Sequence, residues 1–317
     1  MLWIMLVGGF ALLLAGGELL VRGAVATASR LGVSPLVIGL TLVGFGTSTP
    51  ELVTSLEAAF AGSPGIALGN VIGSNIANIL LILGLAAVLA PIACKPAAFR
   101  RDGAVLVAAS VIAAGIVAAG AVGRFAGAAL IALLVVYTVA TLIAERRRPD
   151  AAGEVYAEEA AAVAEPKLGL VAGIVVALVG IAVTILGARL LVSGATELAL
   201  AAGISETVIG LTVVAVGTSL PELATSVIAA IKRQGDVAFG NVVGSNIYNI
   251  LGILGVTAVV HPLDVPARLA GTDVWVMLGA TGLLVAVTVT GWRITRAEGA
   301  GLMAIYAGYI AWLAIGA

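Results

Sequence analysis

Charge is what this chain has least of. Of 317 residues only 10% are charged, 16 Lys or Arg and 17 Asp or Glu, against about 25% in soluble domains. So few charges cannot clothe a water-facing surface. The formal net charge of −1 excludes a strongly basic nucleic-acid binder. Cysteine and histidine are nearly missing too. One Cys (Cys94) and one His (His261) exclude a disulfide framework and any His/Cys metal cluster. His261 lies at the end of an apolar run, so an intramembrane enzyme would lack a plausible base. No GxxxxGK[ST] motif is present, so nothing points to ATP hydrolysis. Any ion chemistry must run on carboxylates, hydroxyls, amides and backbone carbonyls.

What is plentiful is apolar. Hydrophobic residues make up 61%, Gly contributes 41 residues, and mean hydropathy is +1.19. Small residues let helices approach closely in lipid. Apolar runs long enough to cross ~30 Å of hydrocarbon fall near 3–23, 34–60, 67–90, 103–121, 124–144, 168–202, 204–231, 237–260, 271–291 and 297–316. The expectation is an all-α polytopic membrane protein with ten transmembrane helices. The N-terminal run lacks a basic leader and cleavage context and reads as an uncleaved first span.

With alternating loops, twelve Lys/Arg fall on one side, among them Lys95, Arg233, Arg293 and Arg296, and only Arg124 and Arg268 on the other. The positive-inside rule makes the first side cytoplasmic, with both termini outside. The one long polar stretch, 145–167, reads as a solvated cytoplasmic linker between halves 1–144 and 168–317. Its Glu154, Glu158, Glu159 and Glu165 could bind cations only weakly.

The halves are related. Gly39 to Pro91 aligns with Gly210 to Pro262 at a constant offset of 171, about 31 of 53 pairs being identical. Five spans per half is an odd number, so the second half enters the membrane from the opposite face. The fold class predicted is two inverted five-helix repeats, an architecture of secondary transporters.

Inside the repeat, Glu51 and Glu222 lie mid-span, where a carboxylate costs about 2.5–3.5 kcal/mol. Each follows a proline, in Thr47-Ser48-Thr49-Pro50-Glu51 and Thr218-Ser219-Leu220-Pro221-Glu222. Proline withholds a donor and should free a carbonyl about one turn earlier, near Gly44–Gly46 and Ala215–Gly217. Carboxylate, hydroxyl and carbonyl oxygens thus converge as hard-cation ligands. A second element, GN-x-x-GSN-x-x-N, adds Asn70, Ser74, Asn75 and Asn78, with Asn241, Ser245, Asn246 and Asn249. Ser74 and Asn78 share a helix face, as do Ser245 and Asn249. Asn75 and Asn246 read as helix-to-helix contacts, and Ser or Thr hydroxyls can instead bond their own helix. Glu18, Arg22, Arg189 and Glu197 read as snorkelling or mutually paired. Glu57, opposite Ile228 in the repeat, reads as a vestibule charge.

The duplicated G-T-S-x-P-E and G-N-x-x-G-S-N-x-x-N motifs resemble those of the cation/calcium exchanger superfamily, specifically its prokaryotic sodium/calcium exchangers. The resemblance covers the whole ten-span layout. It implies one calcium site and several sodium sites, with ligands Thr47, Ser48, Glu51, Ser74, Asn78, Thr218, Ser219, Glu222, Ser245 and Asn249. Backbone oxygens of Gly44 and Ala215 would complete the sodium sites. Potassium-dependent members carry Asp where this chain has Asn249, so the resemblance implies potassium independence. It implies electrogenic sodium-for-calcium antiport in the plasma membrane, with Ca2+ and Na+ as transported ions. No cofactor, catalytic residue, nucleic acid or obligate protein partner is expected beyond the lipid bilayer. The rival readings are a calcium/proton (or other divalent cation/proton) antiporter and a cation channel.

Overall fold

The computed structural model describes residues 2–31, 44–147 and 169–315. The 145–167 linker with its glutamates, and the start of the expected 34–60 span, lie largely outside the described residues.

Eleven helices and four two-residue strands make up the described chain. A 29-residue helix, α1 (Leu2–Arg30), is followed after a short turn at Gly44–Gly46 by α2 (Thr49–Phe60). Then come α3 (Pro64–Leu89), β1 (Ile92–Ala93), α4 (Pro96–Ala118), β2 (Ala121–Val122) and α5 (Arg124–Arg147). The second half opens with the 33-residue α6 (Leu170–Ala202), then α7 (Glu206–Thr218) and α8 (Leu220–Ile231). It ends with α9 (Gly235–Val260), β3 (Leu263–Asp264), α10 (Leu269–Val289), β4 (Arg293–Ile294) and α11 (Arg296–Ile315). Among the described residues, eight helices are long and apolar enough to cross a membrane, and α7 with α8, bent by 49°, make a ninth. The described part of the expected 34–60 span begins only at Gly44.

Proline sets the breaks. Pro50 and Pro221 sit in the first turn of α2 and α8, where the missing N–H has no intrahelical partner to lose. The proline thus opens a new helix after a non-helical residue, Ser48 or Ser219, rather than kinking a continuous one. Both α3 and α9 widen into a π-helical turn, at Asn78–Leu83 and Asn249–Leu254, so the same motif residue begins each. Such turns cluster at functional positions.

Glycine sets the closest packing. α1 and α6 lie antiparallel, with glycines every seven residues facing the other backbone. A Cβ on Gly9 would stand 2.7 Å from the Leu191 nitrogen, and one on Gly187 2.7 Å from the Leu13 nitrogen. Gly16, Gly23, Gly173 and Gly180 meet the partner backbone in the same way. A helix pair this close has room for hydrogen only.

The loops join in reciprocal pairs. β1 pairs antiparallel with β4, and β2 with β3. β1 and β3 are equivalent in the repeat, so each half lends a strand to the other. Each terminal hairpin is closed by a tyrosine on a carboxylate. Tyr137 Oη donates to Asp102 at 3.1 Å between α5 and α4, and Tyr309 Oη to the buried Asp273 at 2.9 Å between α11 and α10. The most buried helices are α3 and α9, and they carry the polar residues inward.

Candidate functional site

Glu51 and Glu222 are both fully buried, each in the first turn of the helix its proline opens. Ser48 and Ser219 occupy the breaks just before those helices, so their hydroxyls are not taken up by a helical ladder. Each reaches across to the carboxylate of the other half. Ser48 Oγ donates to Glu222 Oε1 at 2.8 Å, and Ser219 Oγ to Glu51 Oε1 at 3.0 Å. Thr47 also hydrogen-bonds Glu222, as does Ser245 Oγ at 3.4 Å. Glu51 Oε2 and Glu222 Oε2 are buried without any hydrogen-bond partner. Among the described residues neither carboxylate has a Lys, Arg or His within ion-pair distance.

Each glutamate is held from behind. Asn70 Nδ2 donates to the Glu51 carbonyl at 3.1 Å and to Ser55 Oγ at 2.9 Å. Asn241 Nδ2 does the same to the Glu222 carbonyl and Ser226 Oγ, at 3.1 and 2.9 Å. Thr218 Oγ1 donates to Asn70 Oδ1 at 3.0 Å and bonds back to its own helix at Val214 O, 3.1 Å. Ser55 and Ser226 were legible as identical residues in the repeat, but sequence spacing alone did not tie them to the asparagines.

Ser74, Asn78 and Asn249 are fully buried on α3 and α9. Asn78 Nδ2 donates to Asn246 Oδ1 at 3.0 Å, and Asn246 Nδ2 to the Asn75 carbonyl at 3.4 Å, so asparagines stitch α3 to α9. Asn78 Oδ1 and both amide atoms of Asn249 have no partner. A buried polar atom left bare costs about 1–3 kcal/mol, so each of these is a candidate to meet a ligand. The Ala215 carbonyl departs from expectation. Proline does not leave it bare, because it accepts from the Ser219 amide at 3.1 Å, Thr218 Oγ1 at 3.3 Å and Ser74 Oγ at 3.4 Å. Gly44 begins its short turn, and its surroundings lie outside the described residues.

The motif glycines have a steric reason. A Cβ on Gly46 would run into Val21 of α1, and one on Gly217 into the Phe10 ring. Helix α1 thus seals both breaks. Phe45 stacks on Tyr248 with centroids 4.4 Å apart, an aromatic lid that the equivalent Val216 and Ala77 do not form. Outside the centre, Arg22 pairs with Glu18 at 2.7 Å as expected, but Arg189 pairs with Glu57 at 3.2 Å, across the halves. Cys94 is buried in the α3–α4 loop, where burial and the nearby Asp236 push its thiol up to about 12, far from reactive.

Chemically, the centre has two carboxylates and otherwise neutral oxygens. Among the described residues no three His, Cys, Asp or Glu side chains gather as a metal cluster. Two carboxylates in a dry core can carry their charge only beside a positive ion or a proton. Oxygen-only donors with two carboxylates suit a hard cation.

A family profile described as "Sodium/calcium exchanger protein" matches residues 1–143 and 172–315. The sodium/calcium exchanger MaX1 of Methanosarcina acetivorans is 34% identical, over 97% of this chain and 97% of its own. The putative antiporter CaxA of Alkalimonas amylolytica is 36% identical over 95% of each. A solved structure of the sodium-calcium exchanger NCX_Mj, soaked with Na+ and Sr2+, is 33% identical and superposes with a TM-score of 0.63, over 98% of this chain and 99% of that one.

Proposed function

The chain belongs to the sodium/calcium exchanger protein family, and on that premise we propose that it exchanges sodium for calcium across the plasma membrane by alternating access. The carrying observation is the pair Glu51 and Glu222, fully buried, each bonded by a serine of the opposite half and each with one oxygen bare. Calcium and sodium draw on the same two carboxylates, so they compete. An empty centre would bury two like charges, which forbids the change of access without cargo. The ligands are Thr47, Ser48, Glu51, Ser74 and Asn78 with Thr218, Ser219, Glu222, Ser245 and Asn249, plus carbonyls of Gly44 and Ala215, the latter on exchanging its Thr218 and Ser74 hydroxyl donors for the ion. Several sodium ions per calcium make the cycle electrogenic, and an amide at Asn249 makes it potassium-independent.

The architecture we propose is two inverted five-helix repeats, 1–144 and 168–317, joined by the 145–167 linker, ten spans in all. Equivalent residues that touch one another support it, since residues beside a twofold axis meet their own counterparts. Ser110 Oγ lies 3.2 Å from Thr281 Oγ1, and Asn246 bonds the carbonyl of Asn75, each pair 171 apart. Antiparallel α1 and α6 put that axis across the helices, in the membrane plane. Each strand pair joins two loops that an alternating ten-span layout puts on the same side, which supports that layout, and the Lys/Arg count then sets both termini outside.

The test is calcium-45 uptake into proteoliposomes under sodium, potassium and proton gradients imposed one at a time. A sodium gradient alone should drive uptake, and an added potassium gradient should change nothing. Uptake driven by a pH gradient with sodium absent would establish the calcium/proton reading instead.

A further inference from the structure

A cavity of about 490 Å³ opens at one end of the bundle, between the end of α3, the α8–α9 turn and the start of α11. Arg233, Arg293 and Arg296 line it. Arg296 is engaged, donating to the Leu89 carbonyl at 3.3 Å. Among the described residues the side chains of Arg233 and Arg293 have neither an ion-pair nor a hydrogen-bond partner. The nearby acids are spoken for: Asp236 pairs with Lys95 at 2.8 Å, and Glu298 accepts from the Thr295 amide at 2.7 Å. Gly235, the first residue of α9, also lines the cavity, and a helix N-terminus favours anions. Beside the arginines, Ile231 and Leu89 are 68% and 42% exposed.

The opposite end of the molecule is an internal control. There Arg124 opens α5 as Arg296 opens α11, one residue out of the 171 offset, and it too donates to a helix-end carbonyl, that of Val259 at 3.1 Å. That arginine is therefore part of the shared fold. Gly62 stands for Arg233 at the repeat offset, and Ala121 opens β2 as Arg293 opens β4, so these two charges belong to one end alone. Arg233 moreover adopts φ 60°, in the left-handed region where Gly62 has φ 74°. A bulky residue in a glycine's conformation is strained, and here the strain aims a charge at a cavity.

We propose that the cavity holds the phosphate of an anionic phospholipid, its acyl chains running along Ile231 and Leu89. Basic pockets between membrane helices are suited to such headgroups. A free soluble anion would gain nothing from the exposed apolar rim. By the Lys/Arg count this is the cytoplasmic leaflet.

The test does not depend on transport. Purified protein in neutral detergent is titrated with phosphatidylglycerol or phosphatidylcholine, and bound lipid is counted by native mass spectrometry. Phosphatidylglycerol should be retained in preference, and R233Q/R293Q should weaken its binding about thirtyfold, at one basic residue's attraction each. R233K/R293K should keep most of it, and R124Q at the control end should change nothing. If the double variant is not recovered folded, R293Q alone should weaken binding about fivefold. Equal retention of both lipids, or undiminished retention by the glutamine variants, would overturn the proposal. Displacement by inorganic phosphate as effective, mole for mole, as by phosphatidylglycerol would assign the cavity to a soluble anion and overturn the lipid.

Discussion

In the first half Asn70 ties the Glu51 carbonyl to Ser55, and in the second Asn241 ties the Glu222 carbonyl to Ser226, at the same 3.1 and 2.9 Å. Elsewhere along the same segments the likeness fails. Glu57 faces Ile228 in the alignment, Gly62 faces Arg233, and Ala77 faces Tyr248. The halves agree where one ligand would touch both and diverge where each meets a different side of the membrane. Symmetry in this molecule is thus a property of its centre. The same contrast says which substitutions should act alike in the two halves and which should not.

The largest effects belong to the centre. E51Q and E222Q should each reduce sodium-driven calcium uptake more than a hundredfold, since charge at a desolvated site is worth several kcal/mol. Because each carboxylate accepts one serine from the other half, the two losses should be alike. Uptake retained by either variant in proteoliposomes would break the equivalence and sink the assignment of the site.

Packing of α1 on α6 comes next. G9V and its counterpart G180V push a side chain into the facing backbone and should each destabilise by about 1–3 kcal/mol, the usual penalty of overpacking. A lowered melting temperature in detergent would show it. Gly8 has nothing within 4 Å of where its Cβ would be, so G8V should leave that temperature unchanged. A G8V protein as unstable as G9V would mean that backbone conformation, not the interface, sets the cost.

Much of this was legible beforehand. Mid-span glutamates after proline are conspicuous because lipid tolerates few such residues, and a gapless repeat doubles the signal. Eight of the apolar runs fall close to helices long enough to span and the 204–231 run to the bent α7–α8 pair, since span length is fixed by bilayer thickness, while the 34–60 run is described only from Gly44. Other features were not legible. Spacing could not show that Ser48 serves Glu222 rather than Glu51, three residues away, because a helix break decides where the hydroxyl points. Nor could it show that the Ala215 carbonyl already accepts three donors, or that Asp102 and Asp273 each take a tyrosine from a helix some 35 residues on. Contacts between distant segments leave no periodic trace.

A smaller difference separates the two supporting asparagines. Asn70 is fully buried and also accepts from Thr218, whereas Asn241 is only part-buried. Truncation strands the partners of a buried amide at about 1–3 kcal/mol. N70A should therefore lie at the upper end of that range and N241A at the lower, measured as melting temperatures side by side. Equal shifts would make the two supports equivalent despite their different burial.

The smallest effect expected tests the divergent rim. Glu57 pairs with Arg189, yet that guanidinium is 67% exposed, and exposed pairs are worth about 0–1 kcal/mol. Ile228 at the equivalent place does without any pair. E57Q should then shift the melting temperature barely at all, and the apparent calcium affinity in proteoliposomes by less than about twofold. A large loss of affinity with stability intact would move Glu57 from the rim into the ion path. The centre would then hold three carboxylates rather than two, and its two halves would no longer carry equal charge.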